Sequence, residues 1–222
     1  MANHFYKALL LKVDKRLKDN YSLLVSYSFS KSDDSERLNA IGDLDAYTWP
    51  RLDHPAAGDR RHRLVVSGTV QLPLQMQVSA IADFRTDLPF NPSTGLDLNR
   101  DGYAGGTYYT ADNPPGAGYN SGCRGLNLDA INAFRATRSL AAVSSVACPG
   151  FANVDVRFSK FFRVIRSQRL ELVVQLFNVF NRANFDVPAS NPVSALFGQV
   201  IRLPAGINAP SRQAELAFKY SF

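Results

Sequence analysis

The last eleven residues, Arg212-Gln-Ala-Glu-Leu-Ala-Phe-Lys-Tyr-Ser-Phe222, restrict the fold more than any other stretch of the chain. Strand side chains alternate with period two, so Ala214, Leu216, Phe218, Tyr220 and Phe222 share one face. Gln213, Glu215, Ala217, Lys219 and Ser221 share the other. The first face is wholly apolar and runs into aromatics at the terminus. In a water-soluble sheet such an ending frays and invites aggregation. A strand with lipid on one side and an aqueous lumen on the other calls for this pattern.

The same alternation recurs upstream. Tyr6 to Leu17 reads as a first strand, with Leu9, Leu11 and Val13 on one face. In the second, Tyr21, Leu23, Val25, Tyr27 and Phe29 oppose Ser22, Leu24, Ser26, Ser28 and Ser30. Helical spacing would mix the serines into both faces, so period two wins. The third runs from Arg61 to Leu72 and is broken by Pro73. In the fourth, Met76, Val78, Ala80, Ala82 and Phe84 oppose Gln75, Gln77, Ser79, Asp83 and Arg85. The fifth covers Ala152 to Val164. In the sixth, Leu170, Leu172, Val174 and Leu176 oppose Glu171, Val173, Gln175 and Phe177.

These strands are roughly ten to twelve residues long, against about five or six in soluble sheets and about nine to eleven for a tilted bilayer crossing. Their connections alternate. Lys18-Asp-Asn20, Pro73 and Ile165–Gln168 are short, whereas Lys31–Asp59, Asp87–Gly150 and Asn178–Ser211 are long and irregular, with a short helix expected around Leu128 to Leu140. Outer-membrane barrels have short periplasmic turns and long outer loops. The expected fold is therefore all-β: an antiparallel, up-and-down transmembrane barrel segment with long outer loops, and Phe222 at the periplasmic rim. Seven strands is an odd number, and the first would start at the outer face. The chain is expected to be an incomplete barrel, the C-terminal segment of a larger one.

Composition agrees. Of 222 residues, 45% are hydrophobic and 20% charged, which fits neither a disordered chain nor a helical membrane protein. No apolar run approaches the roughly 18–20 residues of a spanning helix. The start, Met-Ala-Asn-His-Phe-Tyr, lacks the basic and apolar regions of a signal peptide, which is expected to lie with the missing earlier strands. The net charge of +6 could suggest nucleic acid, but the basic residues are scattered apart from Arg60-Arg-His-Arg63 and no nucleic-acid motif accompanies them. Lipid phosphate at the outer leaflet is an equally good account of them.

Several residues could carry chemistry. Asp97, Asn99 and Asp101 open a D-x-N-x-D-G calcium-like loop, but the twelfth position is Tyr108 rather than a carboxylate. An Asx- and Gly-rich turn explains the same residues. No other cofactor is implied. Cys123 and Cys148 fall in one irregular segment and suit a loop disulfide in an oxidising compartment, with two free thiols as the alternative. Asp53, His54, Asp59 and His62 lack a nucleophile motif such as G-x-S-x-G, so no enzyme is expected. His62 reads as a rim residue near lipid headgroups. Gln71, Asp83, Arg85, Arg157 and Glu171 would line a lumen, or equally a solvated sheet face. Aromatics toward strand ends fit a headgroup girdle, or a soluble aromatic core.

Four blocks carry a family resemblance. Arg60-Arg-His-Arg-Leu-Val-Val-Ser-Gly68 leads to Leu72-Pro73, and Pro149-Gly-Phe-Ala-Asn-Val-Asp-Val-Arg-Phe-Ser-Lys160 follows. Phe177-Asn-Val-Phe-Asn-Arg-Ala-Asn-Phe185 and the closing strand complete the set. Together they resemble the C-terminal barrel of Oar-like TonB-dependent transporters. The resemblance implies a bacterial outer-membrane barrel of about 22 strands enclosing a plug and energised through TonB. It also implies that Phe218, Tyr220 and Phe222 form a terminal signal for the barrel-assembly machinery. The expected partners are outer-membrane lipid, that machinery, and the rest of the parent barrel with its plug and TonB. The plug and the remaining strands of such a barrel are expected to lie outside these 222 residues. The alternative expectation is a small structural or adhesive barrel, closed by oligomerisation or by an eighth strand in Phe197–Leu203.

Overall fold

The computed structural model of the chain describes residues 3–37, 51–98, 112–165, 168–201 and 211–222. Eight strands form one antiparallel sheet: β1 (Asn3–Lys18), β2 (Tyr21–Arg37), β3 (Arg51–Pro55), β4 (His62–Leu72), β5 (Met76–Arg85), β6 (Phe151–Arg163), β7 (Arg169–Phe177) and β8 (Gln213–Ser221). The order across the sheet is β1-β2-β4-β5-β6-β7-β8, with the short β3 added to β2. One helix, α1 (Leu128–Ala136), lies between β5 and β6. The sheet is open, because β1 and β8 are its two ends.

The register carries the sequence alternation across every strand. Val13 faces Val25, Val25 faces Val66, Val66 faces Ala82, and Ala82 faces Val154. Val156 then faces Leu176, and Leu176 faces Ala214. Cross-strand partners project from the same side of the pleat, so one apolar surface extends over seven strands. It is exposed: Leu11 is 53% accessible, Val13 60%, Leu216 64% and Phe218 67%. A contiguous apolar sheet face of this extent is incompatible with water and suited to lipid.

The opposite face is mainly polar, with apolar residues such as Leu24, Val65, Ile81 and Val173 set among the polar ones. Thr69 and Ser79 hydroxyls meet at 2.9 Å, and Arg157 donates to Glu171 at 2.9 Å. Ser159 and Val173, a cross-strand pair on this face, are both buried.

Short connections gather at one rim. Asp19 and Asn20 turn between the paired Lys18 and Tyr21 with φ of 55° and 67°, which suits the primed turn of a two-residue hairpin and residues that tolerate it. Pro73, Leu74 and Gln75 connect β4 to β5. Gln75, expected on the polar strand face, instead sits in this turn at φ 59°, because Leu72 pairs directly with Met76. Ser221 pairs with Arg169, so Phe222 lies at the same short-turn rim.

Two longer stretches also differ from expectation. Lys31–Asp59 is not one loop: β2 continues to Arg37, and β3 pairs with it from Asp33↔Pro55 to Arg37↔Arg51. In the run from Ser30 to Ser35 both faces are polar, so the alternation that marks a strand disappears while the backbone ladder continues. Phe197–Leu203 does not hold an eighth long strand in its described part, because Phe197 and Gly198 lie in turns and Phe197 is buried.

Candidate functional site

The apolar face ends in cations at both rims. At the short-turn rim Lys15 reaches forward along β1 to donate to the Lys18 carbonyl at 2.8 Å and the Tyr21 carbonyl at 3.2 Å, its ammonium 3.4 Å from the centre of the Tyr21 ring. Lys160, on the same face of β6, donates to the Leu74 carbonyl and lies over Phe162. Each lysine keeps its apolar stem along the sheet and sends its charge to the turn, as a chain does at a lipid boundary. At the other rim His62 stacks on Phe29 with ring centres 4.9 Å apart and bonds the Tyr27 hydroxyl at 2.8 Å. Lys7 and Lys31 pair directly across β1 and β2 beyond it. The eight-residue rise from Lys7 to Lys15 spans roughly 26 Å of strand, about 20 Å of height at a typical tilt, comparable with a barrel's apolar band.

Beyond His62 the long segments pack into a cap, and the molecule's main apolar core lies there. Phe90, Ala117, Ile131 and Phe197 are buried together, with Cys123, Leu126, Val143, Val146 and Val187 against them. Phe90 and Gly122 form a bridge outside the main sheet, and any Cβ at 122 would run into the Phe90 ring. Asn127 caps α1 by accepting from the Ala130 N–H at 3.1 Å. From the helix's last turn, buried Arg135 donates to the carbonyls of Pro192 at 2.6 Å and Ser194 at 2.9 Å. The helix is thereby fixed to the segment after β7. It ends at Ala136 rather than at Leu140 because Thr137 and Arg138 close it with bonds to nearby carbonyls.

A buried ionic group locks this cap to the strands. Arg124 reaches Asp59 at 2.8 Å and Asp87 at 2.6 Å, and Arg61 reaches Asp59 at 2.9 Å. The other Asp59 oxygen accepts from the Ser32 N–H at 2.9 Å. Paired charges with all remaining lone pairs bonded are the form in which ionised groups tolerate burial.

Inside the cap, at the end of the polar face, the balance is different. Arg63 and Arg85 are direct cross-strand partners, a like-charged pair that is unfavourable by itself. Asp83 lies between them, bonded by Arg85 through two nitrogens and by Arg63 at 3.3 Å. Arg60 stands beside them, donating to the Thr86 carbonyl at 2.5 Å. Burial holds the Arg60 guanidinium below its usual range, and Arg85 pushes it the same way against Asp83 and Asp87. A cavity of about 620 Å³ opens here, walled by Arg60, Arg63, Ser28 and Tyr6 and roofed by residues 56–58.

The site residues expected from sequence are distributed over both rims. Cys123 and Cys148 form a disulfide with Cα atoms 5.8 Å apart, closing the cap around α1. Asp97 is in the cap. Asn99 and Asp101 lie outside the described residues. Phe218, Tyr220 and Phe222 belong to β8 and the short-turn rim, with Tyr220 and Phe222 rings 6.0 Å apart. Asp53, His54, Asp59 and His62 do not converge. His54 is buried with its ring edge on Tyr119, Ser35 donates to Asp53, Asp59 is in the ionic lock, and His62 is on the apolar face. The sequence alone does not mark Arg60, Arg63 and Arg124 as site residues. The Arg60–Arg63 run was the signal for two of them.

Comparison with known proteins agrees with this geometry. A family model described as "Outer membrane beta barrel domain" matches residues 1–214. No curated protein and no solved structure matches the chain. With a sheet apolar on one side, polar on the other and long enough to cross a bilayer, the chain belongs to the outer membrane beta barrel domain family and is a barrel protein of the bacterial outer membrane.

Proposed function

We propose that this chain is the C-terminal part of the barrel of an Oar-like TonB-dependent transporter and takes part in substrate uptake, with the cap facing outward and Phe222 at the periplasmic rim. The observation that carries this reading is the open sheet, whose terminal strands β1 and β8 are not paired with each other. Unpaired strand edges are not tolerated in a bilayer, which supports further strands joining both edges. The sequence blocks that resemble Oar-like transporters supply the kind of barrel they belong to. The polar face then becomes part of a lumen wall, the plug and TonB belong to the complete assembly, and the barrel-assembly machinery reads the terminal strand.

Paired cysteines test it. Substitutions along Leu9–Val13 of β1 and Leu216–Tyr220 of β8, tried in several registers in outer membranes, are expected to give no cross-link within the chain. An efficient intrachain β1–β8 cross-link would mean a small closed barrel and would overturn the transporter reading.

A further inference from the structure

The arginines at the mouth of the polar face carry more positive charge than the protein neutralises. Asp83 is bonded by Arg63 and Arg85, and Arg85 takes most of it, while Asp87, the other carboxylate that acts on Arg60, is paired with Arg124. The Arg60 guanidinium donates to the Thr86 carbonyl, a neutral acceptor, and no carboxylate among the described residues forms an ion pair with it. Three guanidiniums at a half-buried site repel one another, and this arrangement is costly unless an anion completes it. The opposite wall adds neutral donors: among the described residues, the hydroxyls of Tyr6 and Ser28 have no protein partner. The one carboxylate on that wall, Asp34, is held by His4 at 2.6 Å. The cavity's volume of about 620 Å³ is in the range that encloses a small organic ligand.

We infer that this cavity binds a small organic anion through a phosphate or carboxylate group, with Arg60 and Arg63 clamping the oxyanion and Tyr6 and Ser28 donating to its remaining oxygens. The planar guanidinium fork matches either oxyanion with two parallel hydrogen bonds, and that geometry explains arginine rather than lysine at both positions. Asp83 holds Arg63 and Arg85 in place and sets how much charge remains for the ligand. As the entry site of a transported anion this deepens the uptake reading and rests on it, although binding itself does not.

Calorimetry on the purified protein in mild detergent, with inorganic phosphate and citrate as separate probes, tests the site. At least one probe is expected to bind, which also tells a phosphate site from a carboxylate site. The Arg60→Gln, Arg63→Gln double variant should weaken it by about tenfold or more. Asp83→Asn, which removes the neutralising carboxylate, should tighten it several-fold, so the site is tested by a gain as well as a loss. Lys219→Gln, on the same face at the far rim, should leave it unchanged. No binding by protein that keeps its strand circular dichroism, or equal binding by the double variant, overturns the site and leaves the uptake reading standing. Binding by a protein whose cells accumulate neither probe, with TonB intact, keeps the site and removes its role in uptake.

Discussion

Asp59 and Arg124 have opposite charges in a place almost without water, with Asp59's side chain fully buried and Arg124's 6% exposed. They lie 65 residues apart in sequence, one before β4 and one in the cap. Coulomb attraction alone does not make such a pair stabilising, since removing both charges from water costs several kcal/mol each. The consequence of losing one partner is less ambiguous. Arg124→Met leaves Asp87 without its guanidinium and Asp59 with Arg61 alone, and should destabilise the cap by roughly 3 kcal/mol. The measurement is protease digestion of intact cells, where the variant's cap should be cut much faster than that of Arg138→Met, an exposed control. Equal cutting would show that the network does not hold the cap. No sequence pattern marks this network, because its members have neither periodicity nor fixed spacing. The cysteine pair was legible because cysteines are few and both fall in one irregular segment.

At the level of elements, β8 shows what the sequence discloses and what it hides. Its alternation predicts the strand and its apolar face, and the alternation of short and long connections predicts its place at the short-turn rim. Deleting Phe222 from the complete protein should sharply lower its amount in the outer membrane, read by immunoblot of fractionated membranes. Undiminished levels would remove the assembly role of the terminus. The other long strands were equally legible where lipid is on one side and water on the other, since that difference creates the period. Where both sides are aqueous the period vanishes, and with it the signal for the end of β2 and for β3. The cap core was hidden for a related reason. Phe90, Ile131 and Phe197 are isolated apolar residues in segments rich in Gly, Pro and Asn, and only tertiary folding brings them together. Phe197 opens a short apolar piece in an irregular segment, where a strand is only the alternative expectation, and is a core residue held in a turn.

The whole molecule combines two solvation regimes. The sheet buries little of its own apolar surface and depends on lipid to cover it, whereas the cap has a conventional core, a disulfide and a buried ionic lock. The two meet at the arginine-lined mouth, so a wall set by the membrane and a cap stable in water jointly shape the cavity there. This division explains why one strand face is apolar without any protein layer packed on it. The most direct test uses neighbouring positions on β7 that point in opposite directions. Val174→Cys and Gln175→Cys would each carry a fluorophore in outer-membrane protein placed in brominated lipid, the native cysteines being protected in their disulfide. The account predicts strong quenching at 174 and little at 175. Quenching at 175 but not at 174, or at neither, would contradict it.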